Sequence, residues 1–206
     1  MDEIVAHIQR RIGPVHMTYA EIVHGDPPIS VHHVRSTLFR RYEVLVTSGM
    51  STRPMTVPAE AAESRFAEVL AILPKGWPLA MSELQDERNY WPVRLLKTLA
   101  RHPHESGTWL GYGHSLANGG SEADVTPYVG STALCAAVLL PPMSLGEAAW
   151  SFKRADGELV YFWAVVPLHL NEMKYKIEHG ADALMDLFDK HGVTDRIDPL
   201  RPPVVA

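Results

Sequence analysis

Cysteine is almost absent from this 206-residue chain, in which Cys135 stands alone. One thiol cannot close an internal disulfide, which excludes a disulfide-stapled scaffold and fits a reducing compartment. Cys135 lies inside the apolar run from Thr132 to Leu140. No neighbouring base or helix N-terminus would activate it, so it reads as a small buried hydrophobe. Long apolar runs are missing too: nothing approaches the ~20 consecutive apolar residues that cross a bilayer. The N-terminus lacks the basic start and apolar core of a secretion signal. Together these absences lead us to expect a cytoplasmic protein with no membrane partner. Basic excess is also lacking. The formal charge is −5 and no basic stripe stands out in the sequence, so nucleic acid is not an expected partner. The mild acidity favours a basic partner, if any.

Catalytic signatures are missing as well. Ser48 follows a strand-like segment, but Leu45, Val46 and Thr47 precede it where a nucleophile elbow needs Gly-x-Ser-x-Gly. Gly111 and Gly113 lack the lysine and third glycine of a phosphate loop. Glu122 and Asp124 fall in a loop-like stretch, where solvation accounts for them.

What is present is an ordinary globular composition, 46% hydrophobic. The length fits one domain over residues 1–206 that needs neither disulfide nor structural metal. Ile4, Val5, Ile8 and Ile12 mark a short amphipathic helix ended by Gly13 and Pro14. Residues 15–24 and 29–37 read as strands, and Tyr42, Val44 and Val46 share one face of a third. Pro58 opens an expected helix over 59–69. A central helix spans 90–101, with Pro92 in its first turn and Pro103 as its stop. Residues 111–130 read as one long loop, and Thr132 to Leu140 as a strand buried on both faces. Asp156 and Gly157 mark a hairpin turn between 150–154 and 159–166. A long helix follows over 170–191, with Met173, Ile177, Leu184, Leu187 and Phe188 inward and Gly192 as its cap. The order gives an α+β fold, a mixed and largely antiparallel sheet flanked by helices.

Eleven histidines raise a metal reading. The densest set is His102, His104, Glu105 and His114, which would serve a metal-dependent hydrolase if the loop brought it together. The plainer reading is loop side chains bonded to backbone. Glu172, Lys176 and His179 share a helix face and read as a surface salt bridge.

Several segments together resemble the suppressor-of-fused (SUFU) domain family. They are Thr47 to Ser51 with Arg53, Pro54 and Met55; Trp91 and Pro92; Pro103 to Glu105; Thr108 to Gly111 with Gly113 and His114; Asn118 and Gly119; Leu139 to Pro142; Val166 to Leu168; Glu172 and Met173; Glu178 to Gly180; and Asp198 and Pro199. The resemblance covers about residues 4 to 203. It implies a SUFU-like fold, no enzymatic activity and no cofactor. In animals such proteins restrain a transcription factor with two domains that close on a peptide. This length matches only the first of those domains. Bacterial single-domain relatives resemble immunity proteins that neutralise toxins. On that basis the expected function is binding of a protein partner, with a toxin the partner that the bacterial relatives imply. The expected contact residues are Ser48, Met50, Arg53, Trp109, Tyr112 and His114. Met50 and Trp109 would be apolar anchors and Arg53 a directed charge. The alternative for Thr47 to Ser51 is a turn that only shapes the fold, with Gly49 at positive φ.

Overall fold

A computed structural model describes residues 2–21, 25–119 and 124–205. Positions 22–24 of the expected first strand, and 120–123 of the expected loop with Glu122, lie outside the described residues. Eight strands form one sheet: β1 (Val15–Tyr19), β2 (Ser30–Val34), β3 (Tyr42–Ser48), β4 (Ala67–Pro74), β5 (Ser115–Ala117), β6 (Ala136–Leu140), β7 (Ser151–Lys153) and β8 (Leu159–Leu168). Their order is β1-β2-β3-β4-β8-β6-β5, with β7 also paired to β8. Only β4 and β8 run parallel. This is the expected α+β class.

The centre of the sheet is β4, buried from Ala67 to Leu73. Such a strand must be apolar on both sides, and it is, except for Glu68. Helix α1 (Glu3–Arg11) places Ile4 and Ile8 over one face, in a cluster with Val44, Leu70 and Phe162. Asp2 caps it by accepting the Ile4 N–H at 3.0 Å. Helix α2 (Glu87–Ser106) covers the other face, packing on β2, β3 and β4. Trp91 is fully buried there and stacks on Tyr128 with ring centroids 5.2 Å apart. Helices α3 (Leu170–His179) and α4 (Ala181–His191) close the end of β6 and β8 through Leu184 and Phe188. Among the described residues no helix is long and apolar enough to cross a membrane.

Several boundaries differ from expectation for physical reasons. The helix expected over 59–69 is a kinked 3₁₀ segment, Ala59–Ser64. Residues 67–69 belong to β4 because pairing with β8 outweighs a weak local preference. Pro103 does not stop α2, which runs on to Ser106 and ends at Gly107 in the left-handed conformation. The helix expected over 170–191 is broken at Gly180, whose φ of 92° and ψ of 166° no helix can hold. The break turns Ile177 outward, so it is exposed rather than inward. Part of the expected loop is strand β5, and Pro167 lies inside β8 instead of ending it.

Glu172 corrects a further reading. It is not in a surface pair with Lys176 and His179 but fully buried. Both its oxygens accept from the Arg201 guanidinium, at 2.6 and 2.5 Å. Main-chain N–H groups of His169 and Val204 donate to it as well. Burial opposes its ionisation, but Arg201 and those N–H groups prevail and hold its carboxyl below the usual range. The pair pins the C-terminal segment to α3. A carboxyl lowered on folding adds stability that is present above its unfolded pKa and lost as pH falls through the folded one. Arg201→Ala, which strands the buried charge, is expected to cost about 3–5 kcal/mol near neutral pH. Urea unfolding of both proteins should show that gap shrinking in acid.

Candidate functional site

The turn after β3 is built around one carboxyl. Glu68 on β4 is fully buried and faces this turn. Its Oε1 accepts the N–H of Gly49 at 3.1 Å, the N–H of Ser51 at 3.0 Å and the hydroxyl of Ser51 at 2.6 Å. Its Oε2 lies 2.6 Å from the Thr47 hydroxyl. Gly49 adopts φ 118°, and a Cβ there would collide with the Pro28 carbonyl. The sharp turn therefore needs glycine for both conformation and space. Burial drives the Glu68 carboxyl above its ordinary range despite these donors. The neutral acid also fits the cage. Its O–H can donate to Thr47 Oγ1, whose own hydrogen then turns to the Val69 carbonyl 3.1 Å away. The Val69 N–H donates to the same Thr47 oxygen at 2.9 Å.

The cage settles where the expected contact residues lie. Met50 is completely buried in the core under α2. It cannot anchor a partner, because its own fold already encloses it. Ser48 is buried too, with its hydroxyl 2.8 Å from His32 Nε2. The other nitrogen of His32 meets Thr18 rather than a carboxylate, so this sealed pair has no third group to orient a base. Arg53 is half-exposed and pairs with Asp26 at 3.1 Å.

The second expected segment lies beside the first. His104 Nε2 is 2.8 Å from the Met50 carbonyl. Thr56 donates its N–H to the Thr108 carbonyl at 3.2 Å, and the Leu110 N–H meets Met55 Sδ. Trp109 is partly buried, with its ring over Gly111 and edge-on to His114 at 4.3 Å. His114 is neighboured by Lys176, and burial chiefly lowers its pKa. Tyr112 is exposed and donates to Asp182 at 2.5 Å. Burial and that bond push its hydroxyl up to about 12. The metal reading fails on geometry. His104 turns to Met50, His114 to Trp109 and His102 to Ser106. Among the described residues no three His, Cys, Asp or Glu are grouped to hold a metal.

Sequence reasoning missed two residues. Tyr161 and Trp163 alternate on β8 with buried Val160, Phe162 and Ala164. They stack at 5.4 Å and, like Trp109 and Leu116, lie partly buried against the α2 core. Helix α2 packs chiefly on β2 to β4, which leaves this aromatic half of the same face thinly covered. The Trp163 indole N–H is buried without an acceptor. The face ends at β5, whose outer side is paired with no described strand. Asn118 donates to Cys135 at 2.7 Å, and His114 accepts from Leu139 at 2.9 Å. Alternation therefore turns the main-chain groups of Ser115 and Ala117 outward. An aromatic pair two residues apart in a predicted strand was the available signal.

The cage makes a stability prediction with a definite sign. A carboxyl raised on folding contributes most below its unfolded pKa, and that contribution is lost as pH climbs toward the folded pKa. Glu68→Gln keeps an acceptor for Gly49 and Ser51 and a donor for Thr47. It should cost little in acid and gain steadily on the wild type as pH rises. Glu68→Ala, which orphans the donors, should cost about 3 kcal/mol or more in acid, with the gap narrowing as pH rises. Urea unfolding across the pH range checks both.

Comparison with known proteins follows the same lines. No curated protein matches the chain. Among the solved structures that share its fold are three that are each 15% identical and aligned over 98% of this chain. One is a SUFU homologue from Neisseria gonorrhoeae, with a TM-score of 0.64 over 95% of that protein. Another is the Sufu–Fu complex, at 0.65 over 91% of the matched chain. The third is Drosophila Suppressor of Fused, at 0.64, of which this chain spans 50%. The family model for Suppressor of fused protein (SUFU) matches residues 25–202. The chain belongs to the suppressor of fused family.

Proposed function

We propose that this chain is a non-enzymatic protein-binding domain whose partner docks on β5 and the aromatic face beside it. The open outer edge of β5 carries the reading. A partner strand could pair with the outward groups of Ser115 and Ala117, as exposed sheet edges allow. Its side chains would then lie over Leu116 of β5, while another segment of the partner covers Trp109, Tyr161 and Trp163, residue types that bury much area at low entropy cost. Tyr112, His114 and Arg53 flank that surface. Ser48 and Met50 hold the supporting turn from within. That one related fold was solved as a Sufu–Fu complex supports a protein as the partner. In the finer reading the chain is an immunity-type protein that blocks a toxin by occupying it. This rests on the kinship with bacterial homologues and on the net charge of −5, which suits a basic target.

The test is capture of partners by the tagged chain from its native host, read by mass spectrometry. Ala117→Pro removes only an outward N–H, which an edge strand tolerates. With Trp163→Ala, whose partly buried ring makes some loss of thermal stability inevitable, it should weaken capture at least about tenfold in protein still folded at the assay temperature. Undiminished capture by the folded double variant would remove this face from the interface. A captured protein that poisons cells unless this chain is present would establish the immunity reading.

A further inference from the structure

The turn between β2 and β3 presents the two most exposed large apolar side chains described, Leu38 at 82% and Phe39 at 96%. The turn is tied down rather than loose. Thr37 donates its N–H to the Arg40 carbonyl at 2.7 Å, and the Arg40 N–H donates to Thr37 Oγ1 at 3.0 Å. The Arg40 guanidinium reaches back to the carbonyl of Arg35 at 2.6 Å and to that of Ile12. That second bond fixes the tip beside the end of α1, where Arg10 and Arg11 are exposed. Arg35 and Arg41 are exposed just outside the strands that enter and leave the turn. Five arginines thus gather behind two protruding apolar side chains, in a chain of net charge −5. Two neighbouring carboxylates do not offset them freely. Glu43 is buried and engaged by His33 and the Ser36 N–H, and Asp195 is buried and held by Ser144.

We propose that this tip docks on an anionic membrane surface. Leu38 and Phe39 enter the boundary between headgroups and acyl chains, and the arginines pair with lipid phosphates and carboxylates. The order of groups matches a bilayer, with apolar side chains outermost and cations one step behind them. A protein partner fits less well. The tip is convex, and Ser36, Thr37 and arginines surround the two apolar residues, far short of the roughly 800 Å² per partner of a standard interface. The attachment is peripheral and needs no spanning helix. It amends the expectation of no membrane partner and is independent of the partner proposed for β5.

The test is sedimentation of the protein with vesicles of phosphatidylcholine alone or mixed with phosphatidylserine. The wild type should co-sediment with the mixed vesicles only, and less so as salt is raised. Leu38→Ser with Phe39→Ser should reduce that binding roughly tenfold or more, with an unchanged melting temperature since both side chains are exposed. Arg35→Ala with Arg41→Ala should do the same through charge. No co-sedimentation with mixed vesicles, equal binding by the folded Leu38/Phe39 variant, or binding to poly-glutamate without binding to vesicles would overturn the proposal. The last result would assign the tip to an acidic protein instead.

Discussion

Four polar groups of one turn, the N–H groups of Gly49 and Ser51 and the hydroxyls of Ser51 and Thr47, converge on the Glu68 carboxyl, and much of the molecule depends on that convergence. A carboxyl buried on a central strand is costly unless every oxygen is satisfied. Satisfying it forces the chain after β3 to fold back sharply, which only glycine at position 49 permits. The turn then seals Met50 into the core and offers its carbonyl to His104 at the end of α2. From there the next residues run beside Thr108 and Leu110, and so fix the base from which Trp109 and His114 rise. The segment with the strongest family likeness is thus a structural joint, and the surface it supports lies beyond it.

This arrangement separates holding from binding. Thr47, Gly49, Ser51 and Glu68 spend their polar groups on one another. The neighbouring half of the sheet keeps open what a partner can use: a strand edge paired with no described strand, and stacked aromatics partly in contact with solvent. Edges of this kind invite pairing with another chain. The opposite end of the sheet carries a different surface, the arginine-backed tip, with no shared residues. Two such surfaces would let the domain hold a partner while resting on a membrane.

Much of the fold was legible in the sequence because the signals were local. Alternation in Tyr42 to Val46, the Asp156–Gly157 turn and the Gly192 cap each act within a few residues. What was missed depends on distant partners. Ala67 to Val69 read as helix until β8 paired with them. Glu172 looked like a surface residue because Arg201, its partner, is 29 positions away. Met50 looked like an exposed anchor because the carboxyl that buries its turn comes from another strand. Cys135 was read correctly as buried, since its own apolar run was enough. In the candidate site, Trp109, Tyr112 and His114 stood out by residue type, whereas Tyr161 and Trp163 were hidden in a strand that looked purely structural. The arginine cluster could not be read at all, because Arg10 and Arg11 join Arg35, Arg40 and Arg41 only after folding.

The most direct test of the central interaction is a titration of the Glu68 side-chain carboxyl, followed by carbon-13 NMR and assigned with the Glu68→Gln variant. A buried, caged acid of the kind described here should change its signal well above the pH range in which the exposed glutamates of the same chain titrate. A transition within or below that range would mean that the donors outweigh burial, and that the turn is held by a charged carboxylate instead.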